Sequence, residues 1–162
     1  MNILTVNNKK EEKFLRTKVG DFDFGGADKK ETDKLIMKMK KTMREANGLG
    51  LSANQAGLSI RMFVAEIPNE EAEIGEFYAV FNPEIVKSSK KTIVMEEGCL
   101  SVPGVYGLVE RPEKIVLTGQ DESGKKIKIQ AGGLAARVFQ HEIDHLNGIL
   151  FIDKAEKLKN DE

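Results

Sequence analysis

Cysteine, tryptophan and histidine are scarce in this chain, which has one, none and two of them, and long apolar runs are absent. A single cysteine excludes an internal disulfide, and no segment is apolar enough to cross a bilayer. The stretch MNILTVNNKKEEKF at the N-terminus contains acidic residues and no apolar signal core, so we expect neither a secretory signal nor a transit peptide. A formal net charge of -1 gives no general attraction to nucleic acid or membranes. We therefore expect a cytoplasmic protein with no membrane partner and no nucleic-acid specificity.

The pattern along the chain predicts one domain, residues 1–162, with a mixture of helices and strands. Residues 1–24 are expected to wrap the surface. A helix should begin at an Asp28 cap, bury a stripe of Leu35, Met39, Met43 and Ala46, and end near residues 47–48. Turns are predicted at residues 68–69, 82–83 and 121–124, an acidic loop at 70–76, and a frayed helix at 154–162. Predicted strands are residues 61–67, 77–82, 84–87, 92–96, 113–118 and 125–130.

Both histidines lie in one short motif, HEIDH, at residues 141–145. On a helix, residues four apart share a face, so His141 and His145 can bind one metal ion. Glu142 lies on the flank of that face, where it is better placed to take a proton from a metal-bound water than to act as a ligand. Leu134 and Val138 continue the histidine face at helical spacing, which predicts that the helix packs inward.

A catalytic site of this kind needs a third protein ligand and one open position for water. Any acidic residue is a candidate, but the thiolate of Cys99 is the stronger donor and lies between residues that favour a turn, Gly98 and Pro103. Negative charge on the substrate carbonyl oxygen then needs hydrogen-bond donors. Gln55, at the end of a glycine-rich stretch, and the backbone N–H of Leu100 are the candidates.

Three motifs together resemble the peptide deformylase family: GLGLSANQ (residues 48–55), EGCLS (97–101) and HEIDH (141–145). The similarity extends over residues 3–153. The resemblance implies an α+β fold in which antiparallel β-sheets pack around a central α-helix carrying the HExxH motif. It implies that Cys99, His141 and His145 bind one divalent metal ion, which is iron(II) in the cell and which zinc, nickel or cobalt can replace.

The resemblance also implies the reaction: removal of the N-formyl group from the formyl-methionine of new polypeptides, with release of formate. Metal-bound water would attack the formyl carbonyl with Glu142 as general acid and base, while Gln55 and Leu100 would bind the oxyanion. Gly50 would lend backbone hydrogen bonds to the peptide. Two departures from the family pattern are Ser52, a mild change, and residues 103–106, where many bacterial members have a substrate-binding arginine.

The expected reaction also predicts which residues contact the substrate. The partner is an N-formylmethionyl peptide, which would extend along residues 48–51, including Gly50 and Leu51, as an added strand. Leu134, Val138 and the aliphatic stem of Arg137 would line the methionine pocket. The ribosome near its exit tunnel is a further candidate partner. Two alternatives stay open at this point: a zinc endopeptidase, which uses the same helix motif, and a protein with a purely structural metal site.

Overall fold

The computed structural model describes residues 1–69, 71 and 74–160, and within them it contains three α-helices and eight β-strands. The helices are α1 (Lys9–Leu15), α2 (Lys29–Glu45) and α3 (Gly133–Leu146). The strands are β1 (Gly50–Ser52), β2 (Met62–Ile67), β3 (Glu76–Ser88), β4 (Thr92–Cys99), β5 (Val102–Pro112), β6 (Lys114–Gln120), β7 (Lys126–Gly132) and β8 (Leu158–Asn160).

The strands form two antiparallel sheets, one in the order β1-β2-β3-β6-β7 and one in the order β4-β5-β8. Helix α3 contacts strands of both sheets. The predicted α+β class with antiparallel sheets is confirmed. None of the described helices has the length and hydropathy needed to span a membrane.

Helix α2 follows the sequence prediction closely. The Asp28 side chain accepts the backbone N–H of Glu31 and so caps the N-terminus. Met39 and Met43 of the predicted stripe are fully buried against β1 and β2, whereas Leu35 and Ala46 are partly buried and Ile36 is buried in addition. After the helix ends, Asn47 has the left-handed conformation, with φ of 56°. This residue directs the chain into the glycine-rich stretch before β1.

The predicted turn at residues 82–83 is wrong, because β3 runs through it as one strand. Phe81 pairs with Gln120, and the next pair is Glu84 with Thr118, so the strand bulges at this point. Asn82 tolerates the bulge at φ of 48° because its side chain binds the backbone of Phe22 and the amide of Gln120. The Asn-Pro pair therefore marks an irregular backbone here, but the irregularity is a bulge and not a turn.

Three further elements differ from the prediction. Residues 1–24 contain α1, which buries Leu15. Strand β5 was not predicted, since its prolines and glycines obscure the alternation of a strand. The expected C-terminal helix is instead β8, with residues 161 and 162 outside the described residues. Residues 70, 72 and 73 of the predicted acidic loop also lie outside them. The hairpin turn at residues 121–124 is confirmed between β6 and β7.

Helix α3 is held by an apolar core between it and the five-stranded sheet. Phe139 packs against Phe63 and Tyr78, with ring centroids 5.5 and 4.9 Å apart. Burial of aromatic side chains of this size typically contributes ~1.5–3 kcal/mol each. Asn147 caps the helix, and Gly148 follows at φ of 75°. The residues of the HEIDH motif therefore lie on a helix whose opposite side is fixed by tight packing.

Candidate metal centre

Cys99 and the two histidines converge, although they come from different layers of the fold. Cys99 ends β4, and His141 and His145 lie one turn apart on α3. Cys99 Sγ is 3.1 Å from His145 Nε2, which is 3.2 Å from His141 Nε2, and the three ligand atoms lie within 4.8 Å of one another. Metal–ligand bonds of ~2.0–2.3 Å in tetrahedral geometry require neighbouring ligand atoms to be separated by about this distance. The residues therefore fit one divalent metal ion.

Glu97 fixes the orientation of His141. The His141 Nδ1–H donates to Glu97 Oε2 at 2.9 Å, which leaves the Nε2 lone pair directed towards the other two ligand atoms. Burial raises the pKa of Glu97, but hydrogen bonds from His141, Arg111 and Arg137 outweigh that effect and hold the pKa well below its usual range. Glu97 is therefore an anion. The sequence prediction assigned Glu97 no role, although residues 97 and 99 of a strand point to the same face and this spacing could have identified the carboxylate.

Glu97 belongs to a buried group of charges that also includes Arg111, Arg137 and, on α3, Asp144. Arg111 donates to Glu97 at 2.6 Å and to Asp144 at 2.7 Å, and it is only 2% exposed. Arg137 donates to Glu97 at 2.9 Å and to the Val109 carbonyl at 2.7 Å. These contacts compensate each charge, which would otherwise be costly to bury. The group links β4, β5 and α3 directly behind the metal ligands.

Glu142 lies beside the metal ligands and is 4% exposed. A Cβ placed on Gly50 would lie 2.8 Å from both Cγ and Cδ of Glu142, so β1 and the Glu142 side chain are in close contact. Burial raises the pKa of Glu142 to about 7, and the charge on Glu97 adds to that shift while His141 opposes it. A carboxyl group with a pKa near neutrality can both accept and donate a proton at physiological pH.

Gln55 is oriented by hydrogen bonds on both sides of its amide. Its Oε1 accepts the backbone N–H and the hydroxyl of Ser52, at 3.0 and 2.9 Å. Its Nε2 donates to Ser101 Oγ at 3.1 Å and lies 3.6 Å from Cys99 Sγ. The amide nitrogen is thus held on the side of the metal ligands. Leu100, directly after Cys99, lines the same cleft.

The site opens into a cleft of about 570 Å³. Its lining includes most of the residues that the sequence predicted for the site: Gly50, Gln55, Cys99, Leu100, Leu134, Arg137, Val138, His141 and Glu142. His145 lies behind this lining and is 1% exposed. Leu51 differs, because its side chain is fully buried in the core and its backbone pairs with Val64. Leu51 lies outside the described lining of the cleft, and its contact with substrate stays a prediction.

The fold and the site together define an α+β protein with one cysteine and two histidines arranged to hold a metal ion. The chain belongs to the polypeptide deformylase family, whose model matches residues 1–161. A peptide deformylase of Halothermothrix orenii is 48% identical over 129 residues, covering 80% of each chain.

Solved structures give the same relationship. A probable peptide deformylase from Synechococcus phage S-SSM7 is 40% identical, with a TM-score of 0.85 over 95% of this chain and 99% of that one. The class I type b peptide deformylase of Acinetobacter baumannii, in a structure with bound Met-Ala-Ser, is 31% identical, with a TM-score of 0.85 over 95% of this chain and 97% of that one.

Proposed function

We propose that this protein removes the N-formyl group from the N-terminal formyl-methionine of newly made polypeptides and releases formate. The observation that carries the proposal is the meeting of Cys99, His141 and His145 in one cleft, with a buried carboxylate beside them. A divalent ion held by these three residues would polarise a carbonyl group and lower the pKa of a bound water from ~15.7 towards ~7. Residues 1–162 would act as one catalytic domain.

Glu142 is the proposed general acid and base. Its carboxylate would accept a proton from the attacking water and later donate it to the leaving amine nitrogen. The pKa of about 7, raised by burial, supports both steps, because neither protonation state is strongly favoured at neutral pH. The close approach of Gly50 leaves the carboxyl group little freedom to turn away.

Two donors are proposed for the carbonyl oxygen as it gains charge. The Gln55 Nε2 is already turned to the metal side by the bonds that Ser52 donates to its oxygen. The backbone N–H of Leu100 is the second donor. Each such donor typically contributes ~3–4 kcal/mol to transition-state stabilisation.

The peptide would bind along β1, which is an edge strand of its sheet. The Leu49 carbonyl accepts the Glu66 N–H, so the alternation of an antiparallel ladder directs the N–H and C=O of Gly50 to the free edge. These two groups can pair with an extended peptide. By the same alternation the backbone of Leu51 faces β2, so we propose Gly50 as the main contact and keep Leu51 as a prediction.

The methionine side chain would occupy the part of the cleft next to α3. Val138 is 8% exposed and Leu134 39% exposed, and both line the cleft with Arg137. The Arg137 guanidinium is engaged with Glu97 and the Val109 carbonyl, so only its aliphatic stem is available to an apolar ligand. The Met-Ala-Ser bound by the Acinetobacter baumannii relative supports a ligand of this kind.

Iron(II) is the proposed metal in the cell, with zinc, nickel or cobalt able to take its place. One thiolate and two imidazoles suit all four ions, so the ligands limit the metal without selecting it. Protein purified without oxygen should contain iron, and full activity in a preparation containing only zinc would exclude iron as the required metal. The cytoplasmic location and contact with the ribosome stay predictions.

The decisive experiment measures formate release from formyl-Met-Ala-Ser by the metal-loaded protein and by Glu142→Gln. The parent should release formate and should leave acetyl-Met-Ala-Ser and an internally cleavable peptide intact. The variant should bind metal normally but lose about 10²–10⁴-fold in kcat, since it cannot transfer the proton. Cleavage of the internal peptide would favour an endopeptidase. Loss of metal or of folding in the variant would favour a structural role for the site.

A further inference from the structure

One wall of the cleft is an irregular part of strand β5, next to Cys99. Strand β4 pairs Gly98 with Tyr106 and then Cys99 with Val102, so residues 103–105 have no partner on β4. Strand β5 bulges within this segment, and Gly104 there has a φ of 73°. Residues 103–106 line the cleft, and we call them the cleft wall. Strand β4 therefore makes no backbone pairs with residues 103–105, which lie next to the space that substrate would occupy.

Strand β8 pairs with the wall from its other side. Val105 pairs with Asn160, Tyr106 with Lys159 and Gly107 with Leu158. The Leu108 N–H donates to the Lys157 carbonyl at 3.2 Å. Since backbone groups alternate along an antiparallel ladder, the N–H of Lys159 faces the carbonyl of Tyr106, and the N–H of Asn160 points away.

The contact between β8 and β5 is close and is anchored at both ends. A Cβ on Gly107 would lie 2.7 Å from Ala155 Cβ and 2.9 Å from Leu158 Cδ2, so the two segments have no space between them. At one end of the segment Lys154 binds Asp144 of α3 at 2.9 Å. At the other end Lys159 lies 3.7 Å from Glu96 of β4, an exposed pair that contributes little by itself.

We propose that β8 positions the cleft wall and thereby determines how tightly the enzyme binds the residues that follow the formyl-methionine. The inference rests on the proposed deformylase activity. Lys159 is a positioning residue that acts through its backbone N–H on Tyr106, since its side chain is exposed and outside the cleft lining. Loosening β8 should weaken contacts with the rest of the peptide while the metal ligands and Glu142 keep their geometry.

The test compares Lys159→Pro with two matched controls in the full-length, metal-loaded protein. Lys159→Pro removes the N–H that faces Tyr106. Lys159→Ala removes only the side chain, and Asn160→Pro introduces proline where the N–H points away. The ratio of kcat/KM for formyl-Met-Ala-Ser to that for formyl-methionine amide should fall about three- to tenfold in Lys159→Pro, through KM. Both controls should stay close to the parent ratio.

Hydrogen exchange gives a second readout that does not depend on activity. Exchange at residues 103–107 should be faster in Lys159→Pro than in Asn160→Pro. Gly107→Ala should cause the same selective loss, because the added methyl group would push Ala155 and Leu158 away. An equal loss on both substrates, an unchanged ratio or unchanged exchange at residues 103–107 would overturn the inference. A parent that releases no formate would instead overturn the proposed function, and the exchange result would still decide whether β8 holds the wall.

Discussion

Replacing Gly50 with alanine tests the contact between β1 and the proposed acid-base residue. The new Cβ would lie 2.8 Å from Cγ and Cδ of Glu142, whereas carbon atoms in van der Waals contact are ~3.5–4.0 Å apart. The carboxyl group or β1 must therefore move by about 1 Å. Gly50 does not have the left-handed backbone conformation that would strain an alanine. The steric overlap of the new Cβ with Glu142 is therefore the only source of lost stability.

Two magnitudes follow from that displacement. Overpacking a rigid core typically costs ~1–3 kcal/mol, which for a chain of this size lowers Tm by about 2–12 °C. A misplacement of ~1 Å can cost about 10²-fold in rate, so kcat for formate release should fall by about that factor. Metal content should not change, because none of the three ligands is displaced.

The assay measures initial rates of formate release from formyl-Met-Ala-Ser beside thermal unfolding of the same samples. Gly20→Ala is the control, since a Cβ there meets nothing within 4 Å, and it should match the parent in rate and Tm. Adding Glu142→Asp to Gly50→Ala shortens the acid and should restore part of the lost stability without restoring the rate. A Gly50→Ala protein with the rate and Tm of the parent would refute the close contact.

Three further predictions concern the charges, the titration and the core. Glu97→Gln should weaken metal binding about 10–100-fold in a chelator competition, and unchanged affinity would contradict the role given to its bond with His141. Burial raises the pKa of Tyr78 to about 12, above the ordinary value of ~10. The stability that this shift contributes is complete below about pH 10 and is lost as pH rises towards 12, and this loss should be smaller in Tyr78→Phe during denaturant unfolding at each pH. Phe139→Ala should lower the free energy of unfolding by ~3–5 kcal/mol in the same assay at neutral pH, and a loss below 1 kcal/mol would contradict its place in the core.

The elements that the sequence predicted well are those whose cause is local. The α2 stripe repeats at helical spacing and begins at an Asp28 cap, so both signals lie within one segment. The turn at residues 121–124 is likewise set by an Asp side chain that accepts N–H groups two and four residues on. The metal ligands were predictable because the chain has so few candidates for them.

The elements that were missed depend on partners far away in sequence. Strand β5 is a strand because β4 and β8 pair with it on both sides, although its own residues include Pro103 and Gly104. Asn82 continues β3 only because Phe22 and Gln120 bind its side chain. Glu97 contacts His141 and Arg111 only in the folded protein, and its position two residues before Cys99 on one strand was the only local signal for it.

The buried charges behind the metal centre restrict how this protein can change over evolutionary time. Glu97, Arg111, Arg137 and Asp144 are each less than 10% exposed and neutralise one another. Loss of Glu97 would leave Arg137 buried without a carboxylate partner among the described residues, typically at a cost of ~3–5 kcal/mol, which is a large part of the stability of a small domain. A lineage that loses Glu97 should therefore also replace Arg137, so these two positions are expected to change together while surrounding surface residues drift.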